Sequence, residues 1–277
     1  MALTERDSIS IAQLIVFLFS LFVAIWLAIR HGFGRNAGWF YLIILSLARI
    51  VGASLQLATI SDPTNVSLQI GAVTLQSVGL SPLILTQLGL IGRALASIQK
   101  STTAFITVNR LRLVQTLTLV GLILGIIGGT QAGQNVAKTG QYTVSSLSQA
   151  GIGLTIASFA LLVLATLFVA QQISYVESGE KRLVLAVGLS LPFILVRLVY
   201  SAISVFGNNP SFNQLKGNAD ILLGMSVLME MIVVIIVEGI GMTLKTVPKG
   251  ERVASTSSSY QQNGRHDETS YEMGGYR

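Results

Sequence analysis

The sequence predicts an all-α, polytopic membrane protein, a bundle of seven transmembrane helices. Two observations carry this prediction. Hydrophobic residues make up 51% of the 277 residues and charged residues only 11%, whereas a soluble domain is typically about one quarter charged. In addition, seven apolar runs are long enough to cross a bilayer, which takes about 20 helical residues at a rise of about 1.5 Å per residue.

The predicted spans are continuous apolar runs. Backbone groups in lipid must bond within their own segment, so such runs predict helices, whereas barrel strands would alternate in polarity. The spans cover residues 8–29, 39–60, 70–92, 113–130, 150–174, 183–206 and 220–243. Residues 1–243 are therefore predicted to form one transmembrane domain. Residues 244–277 are rich in Ser, Gln and Gly, which predicts a disordered tail.

The first three spans are recognised by their flanks and by one proline. The run 8–29 is longer than the roughly 7–15 residues of a signal-peptide core, so it is predicted to be a membrane span. Trp26 and Trp39 flank the next loop, where an interfacial aromatic belt would place them. Pro82 lies inside the third span and cannot donate a backbone hydrogen bond, which predicts a kink there.

The last four spans differ in their small and polar residues. The fourth carries Gly121, Gly125 and Gly129, a spacing that lets helices approach closely and that favours packing within the bundle over dimerisation. The fifth span carries no ionisable residue. The sixth contains Pro192, a second predicted kink, and the seventh carries Glu230 near its middle.

The distribution of basic residues predicts an N-terminus outside and a C-terminus in the cytosol. Cytoplasmic loops of membrane proteins carry an excess of Lys and Arg. With the N-terminus outside, the outer segments hold only Arg6, Lys138 and Lys216. The inner segments hold Arg30, Arg35, Arg93, Lys100, Arg110, Arg112, Lys181, Arg182, Lys245, Lys249 and Arg252. Because this distribution is explained by the orientation of the protein in the membrane, the basic residues need not indicate a nucleic-acid partner, and we expect none.

Three ionisable residues are predicted to lie near the middle of the membrane. They are Arg49 in the second span, Arg197 in the sixth and Glu230 in the seventh. We expect an ion pair of Glu230 with one or both arginines, because an unpaired charge at this depth is costly. The pair would either fix helix packing or belong to a functional site, and the sequence leaves both interpretations open.

A wider polar network is predicted from helical spacing. Ser46 and Gln56 share a helix face with Arg49, and Ser201 shares one with Arg197. Glu238 lies nearer the inner end of the seventh span, where we expect a loosely solvated carboxylate that Arg110 or Arg112 could approach. The candidate network is therefore Arg49, Arg197, Glu230, Glu238, Ser46, Gln56 and Ser201.

The residue types that are scarce or absent from the sequence exclude more classes of function than any motif indicates. The chain has no cysteine and only two histidines, His31 and His266. Disulfides, thiolate chemistry and a His-ligated intramembrane metal site therefore lack their residues, and the seventh span has no lysine for a retinal Schiff base. We expect neither an enzyme nor a cofactor. Asn65 begins the sequence Asn65-Val66-Ser67, a possible glycosylation site on the outer side.

Several ordered blocks resemble a known family. They are residues 29–35 (IRHGFGR), 57–60 (LATI), 79–82 (GLSP), 121–125 (GLILG), 179–182 (GEKR), 189–193 (LSLPF) and 196–198 (VRL). Together they resemble filamentous-fungal integral membrane proteins that are filed as a domain of unknown function, over residues 1 to 243. The resemblance implies a fungal source and a seven-span membrane domain, and it implies no substrate, ligand or catalytic residue.

Three functions are consistent with the sequence. The first is a receptor-like sensor that binds a small ligand and signals through inner loops and a cytosolic partner of the tail, favoured by seven spans and an accessible tail. The second is a small-solute or proton-coupled transporter that uses Glu230, Arg49 and Arg197. The third is a structural organiser of the membrane. The lipid bilayer is a partner in each case; the plasma membrane is the default location, and an organelle membrane is the alternative.

Overall fold

The computed structural model describes residues 4–31, 38–101, 108–139, 143–176, 179–207, 209–213 and 217–244. The chain divides into two units, Met1–Leu244 and Lys245–Arg277. The predicted tail lies outside the described residues, so its disorder and the domain boundary before it stay predictions. All structural statements below concern the described part of Met1–Leu244.

The described residues are helical, as predicted, and they contain seven helical segments long and apolar enough to cross a membrane, the third of which is interrupted. The interrupted third span consists of two helices, here α3 and α4. The helices are α1 (Glu5–His31), α2 (Trp39–Ala58), α3 (Val66–Val78), α4 (Leu80–Ser101), α5 (Val108–Thr139), α6 (Ser146–Gln171), α7 (Lys181–Phe206) and α8 (Ala219–Met242). Short 3-10 turns at Ile173–Tyr175 and Pro210–Phe212 lie in the connections before and after α7.

Helix α4 is the centre of the bundle. Almost every residue from Leu80 to Leu95 is buried, and α4 packs against α2, α5, α6 and α7. Around it, α1 packs on α2 and α8, α3 on α2 and α5, α5 on α6, and α7 on α8. The outer faces of the surrounding helices expose large apolar side chains such as Phe19, Leu113 and Leu164. Apolar residues on the outside and polar residues within are what a bilayer requires of a helical bundle.

The α-helical hydrogen-bond pattern of the third span is interrupted at Gly79, three residues before Pro82. Pro82 has no backbone N–H to donate to the carbonyl of Val78, and its ring crowds that carbonyl, so the helix cannot continue unchanged across this turn. The interruption therefore lies one turn before Pro82, the position where the sequence predicted a kink. By contrast, α7 remains helical through Pro192.

Helix α8 contains a π-helical segment, Leu223–Val227, which ends three residues before Glu230. A π turn holds an extra residue, and such turns are frequently found at functional sites. Nothing in the residues of this segment predicts it, because they are compatible with an ordinary helix.

Candidate functional site

The central feature of the bundle is an ion cluster formed by Arg49, Arg197 and Glu230. Arg49 donates from Nε to Glu230 Oε1 at 2.6 Å and from Nη2 to Glu230 Oε2 at 2.5 Å, so the pair is bidentate. All three side chains are 1–2% exposed. A bidentate guanidinium–carboxylate pair is the strongest arrangement that these groups can form.

Arg197 is the second cation beside the same carboxylate. Its Nε lies 3.7 Å from Glu230 Oε2, which is an ion-pair contact and too long for a hydrogen bond. Its Nη1 donates to Ser201 Oγ at 2.7 Å, four residues along α7. Its guanidinium also lies 5.7 Å from the ring centroid of Tyr200, within the range of a cation–π interaction.

The interruption of the third span supplies further acceptors to both arginines. Arg49 Nη1 donates to the Gln76 carbonyl at 3.1 Å and to its Oε1 at 2.8 Å. Arg197 Nη2 donates to the same carbonyl at 3.0 Å. These acceptors lie in the last turn of α3, where helix carbonyls carry partial negative charge that favours cations. The two positive charges are thus balanced by one carboxylate together with the end of a helix.

Gly79 is required by this geometry. A Cβ added at position 79 would overlap Arg49 Nη2 and would lie 2.6 Å from its Cζ, closer than real Cβ contacts come. Only glycine lets the guanidinium lie against the backbone of the interrupted turn. We define the central cluster as Arg49, Gln76, Arg197, Ser201 and Glu230; it connects α2, α3, α7 and α8.

Glu238 does not belong to the central cluster, and the expectation that it is loosely solvated was wrong. It is 8% exposed and accepts a hydrogen bond of 2.6 Å from Ser20 Oγ on α1. Ser20 lies 3.0 Å from Ser46 Oγ. Within the described residues Glu238 has no ion pair, and its hydrogen-bond partner is Ser20 rather than Arg110 or Arg112. The cause is the packing of α1 against α8, which covers the carboxylate.

Gln56, placed on the Arg49 face by its spacing, lies in a third polar group near the start of α1. Its Nε2 donates to Asp7 Oδ1 at 3.4 Å, and Thr4 donates from Oγ1 to Asp7 Oδ2 at 2.6 Å. The polar face of α2 therefore touches three separate groups: Ser46 meets Ser20, Arg49 meets Glu230, and Gln56 meets Asp7. The predicted network is three groups at different depths rather than one.

The glycines of the fourth predicted span lie on α5 and face its neighbours within the bundle. A Cβ at Gly121 would come 3.1 Å from the carbonyl of Gly151 on α6, and one at Gly129 would come 3.3 Å from Thr74 on α3. A Cβ at Gly125 would meet nothing within 4 Å. Gly125 nevertheless packs closely on α6, since a Cβ at Gly151 would come 2.9 Å from the Gly125 backbone nitrogen. All three glycines thus lie at close helix contacts, and only at Gly125 is the Cβ direction open.

Asn65 caps the N-terminus of α3. Its Oδ1 accepts from the backbone N–H of Leu68 at 3.4 Å, and its Nδ2 donates to Asp62 Oδ2 at 3.2 Å. Glycosylation would modify this same Nδ2 atom and would compete with the second hydrogen bond. Modification of Asn65 stays a prediction.

Sequence reasoning missed five residues of these groups: Gln76, Gly79, Ser20, Asp7 and Thr4. For Gly79 a signal was present, because a glycine three residues before a proline in an apolar span marks a place where the helix can be interrupted. Ser20 carries no local signal beyond its polarity. As for metals, no group of three or more His, Asp or Glu side chains that could hold an ion occurs in the described part of the chain.

Comparison with known proteins agrees with the resemblance seen in the sequence. A search of curated proteins finds no match. A family model described as "Domain of unknown function (DUF7702)" matches residues 3–247. This match covers most of the 277 residues and all of the helices described above. The fungal source implied by the resemblance stays a prediction. The chain, with its seven helical segments capable of crossing a membrane, belongs to the DUF7702 family, whose function is unknown.

Proposed function

We propose that the protein is a receptor-like membrane sensor, with its N-terminus outside and its C-terminus in the cytosol, in which the central cluster holds one of two helix arrangements. The observation that carries the proposal is that one buried carboxylate on α8 holds Arg49 of α2 and Arg197 of α7, while Gln76 of α3 accepts hydrogen bonds from both arginines. A small movement of α3 would change the partners of both arginines at once. The proposal assigns the chain no catalytic step, no cofactor and no nucleic-acid partner.

Two features favour a central cluster that changes between two helix arrangements over one that only fixes helix packing. The interrupted turn at Gly79 and the π-helical segment Leu223–Val227 lie beside the cluster, and both depart from the regular α-helical hydrogen-bond pattern, as helices often do at functional sites. Packed cores and ion networks tend to have discrete arrangements rather than continuous ones. A ligand that favours one arrangement would therefore shift the population of the other.

The experiment measures distances between spin labels in nanodiscs. The chain has no native cysteine, so cysteines at Phe40 and Leu185, both exposed and near the starts of α2 and α7, would be the sole labelling sites. In the otherwise unchanged protein we expect one main distance between the two spin labels. In the Glu230→Gln variant we expect a second population of molecules with a different distance between the labels. Glu238→Gln serves as the matched control and should keep the single distance. If the folded fraction of the Glu230→Gln protein also shows only the single distance between the labels, the sensor proposal fails.

A small-solute or proton-coupled transporter is the second candidate, and a specific feature favours it. A cavity of about 30 Å³ between α1, α2, α3 and α8 is lined by Gln13, Gln56 and Gln76, and so reaches the central cluster from one side. Transporters place their sites at interrupted helices near the midplane. Proton flux into proteoliposomes with a pH-sensitive dye tests this: flux that is present in the wild type and absent in Glu230→Gln would favour transport over sensing.

A further inference from the structure

A second cavity lies along a neighbouring face of α3, and Val73 lines both this cavity and the glutamine-lined one. It has a volume of about 60 Å³ and is enclosed by α3, α5 and α6, with contributions from the start of α4 and from Val205. This is several times the roughly 10–15 Å³ that a single water needs by the same kind of measure. The cavity exists because Gly121, Gly125, Gly129 and Gly151 form much of its wall.

The chemistry of the lining selects a class of ligand. Apolar side chains such as Ile70, Leu122 and Ile152 provide most of the surface, and none of the described lining residues is charged. A charged ligand would lose its hydration without gaining an ion pair, so the lining favours a neutral molecule. Apolar cavities in proteins bind compact apolar molecules.

Thr74 supplies an independent sign of a ligand. It lines the cavity and is 7% exposed, yet its Oγ1 has no hydrogen-bond partner among the described residues. Buried hydroxyls are nearly always hydrogen-bonded, because a buried polar atom that has lost its water and found no partner is destabilising. Other threonines of the bundle, such as Thr118 and Thr155, donate to the carbonyl four residues before them. Thr74 Oγ1 therefore keeps an unused hydrogen-bonding capacity among the described residues, and it lies beside Gly129, which also lines the cavity.

We infer that this cavity binds a compact, neutral and largely apolar molecule that carries one hydroxyl or carbonyl group, held by a hydrogen bond to Thr74. The inference deepens the proposed function, and rests on it for the link to signalling. Thr74 lies two residues before Gln76, the residue that holds both arginines of the central cluster. A ligand that contacts Thr74 thus acts on the same turns of α3 that the cluster depends on.

The test uses a six-carbon diazirine alcohol as a photoreactive probe of protein in nanodiscs, with the labelled residues mapped by mass spectrometry and cyclohexanol as competitor. We expect labelling on α3, α5 and α6 at the cavity, displaced by cyclohexanol. The Gly125→Leu substitution should reduce the labelling of these cavity residues at least tenfold, because position 125 faces open space that the new side chain would fill. Gly153→Leu is the control, since Gly153 is exposed and a Cβ there meets nothing within 4 Å.

Thr74→Val tests the hydrogen bond. We expect cyclohexanol to compete about five- to tenfold more weakly, the equivalent of one lost neutral hydrogen bond. Thr118→Val, buried outside the cavity, should leave competition unchanged. Labelling confined to outward-facing residues such as Leu113 and Leu164 in every variant would overturn the ligand site. Labelling in the cavity without any response of the Phe40–Leu185 distance to cyclohexanol would support the site and overturn its link to the proposed function, whose own test is the Glu230→Gln variant.

Discussion

Glu230 and Glu238 lie on the same helix, and both are buried, yet their surroundings differ. Glu230 contacts two guanidinium groups and shares them with the end of α3. Glu238 contacts the hydroxyl of Ser20. The difference shows that a buried acid can be held by charge pairing at one depth and by a neutral hydrogen bond at another. The Glu238 group joins α1, α2 and α8 through hydroxyls, whereas the central cluster joins four helices through buried charges. Buried charges are the more costly to leave unpaired, which is why the central cluster is the candidate functional site.

The largest expected effect follows from removing the carboxylate of the central cluster. Glu230→Gln keeps the side-chain size but leaves Arg49 and Arg197 facing each other without an anion. Breaking a buried ion pair in this way costs about 3–5 kcal/mol. Denaturant titration of the purified protein in detergent micelles should show a loss of this size in the free energy of unfolding. A loss below about 1 kcal/mol would mean that the carboxylate is not needed to hold the two cations.

A substitution of Gly79 should have the next largest effect, although it changes no charge. Gly79→Ala places a methyl group where the Arg49 guanidinium lies, so Arg49 must withdraw from Glu230. We expect a loss of about 2–3 kcal/mol in the free energy of unfolding. Gly125→Ala is the control, because its methyl group enters open space and alanine favours the helix by up to about 1 kcal/mol. Equal losses in the two variants would contradict the proposed role of Gly79.

Arg197→Gln should have a smaller effect than the loss of Glu230. The bidentate Arg49–Glu230 pair remains, and the cluster loses a cation whose nearest contact with the carboxylate is 3.7 Å. We expect a loss of about 1–2 kcal/mol, mainly from the acceptors Ser201 and Gln76 that lose their donor. The matched variant Arg49→Gln should lose more in the same unfolding assay. The reverse order would show that Arg197 is the main partner of Glu230.

Glu238→Gln should have the smallest effect of the four. The amide can still accept the hydrogen bond from Ser20, and no ion pair is broken, so we expect a change below about 1 kcal/mol in either direction. Ser20→Ala provides the complementary change, because it removes the hydroxyl that Glu238 accepts from. A large loss for Glu238→Gln would indicate a cationic partner and would remove the contrast with Glu230.

The candidate site could be predicted in part, for reasons that differ between residues. A charge in an apolar span must be paired, so the positions of Arg49, Arg197 and Glu230 in the sequence were enough to predict that they meet. Helical spacing placed Ser46 and Gln56 on the face of Arg49, and they do lie on α2, but spacing along one helix does not determine which neighbour each residue meets. Neutral polar residues such as Ser20 and Gln76 could not be assigned, because an intramembrane serine or glutamine is compatible with many partners.

The sequence by itself determined the helical bundle and its seven spans, because a bilayer accepts little else from long apolar runs and the cost of an unpaired charge is large at any position. Only the tertiary structure decided which carboxylate receives both arginines, where the third span is interrupted and which glycines leave a cavity. These features depend on contacts between helices that are distant in the chain. The spacing of residues within one helix does not determine these contacts.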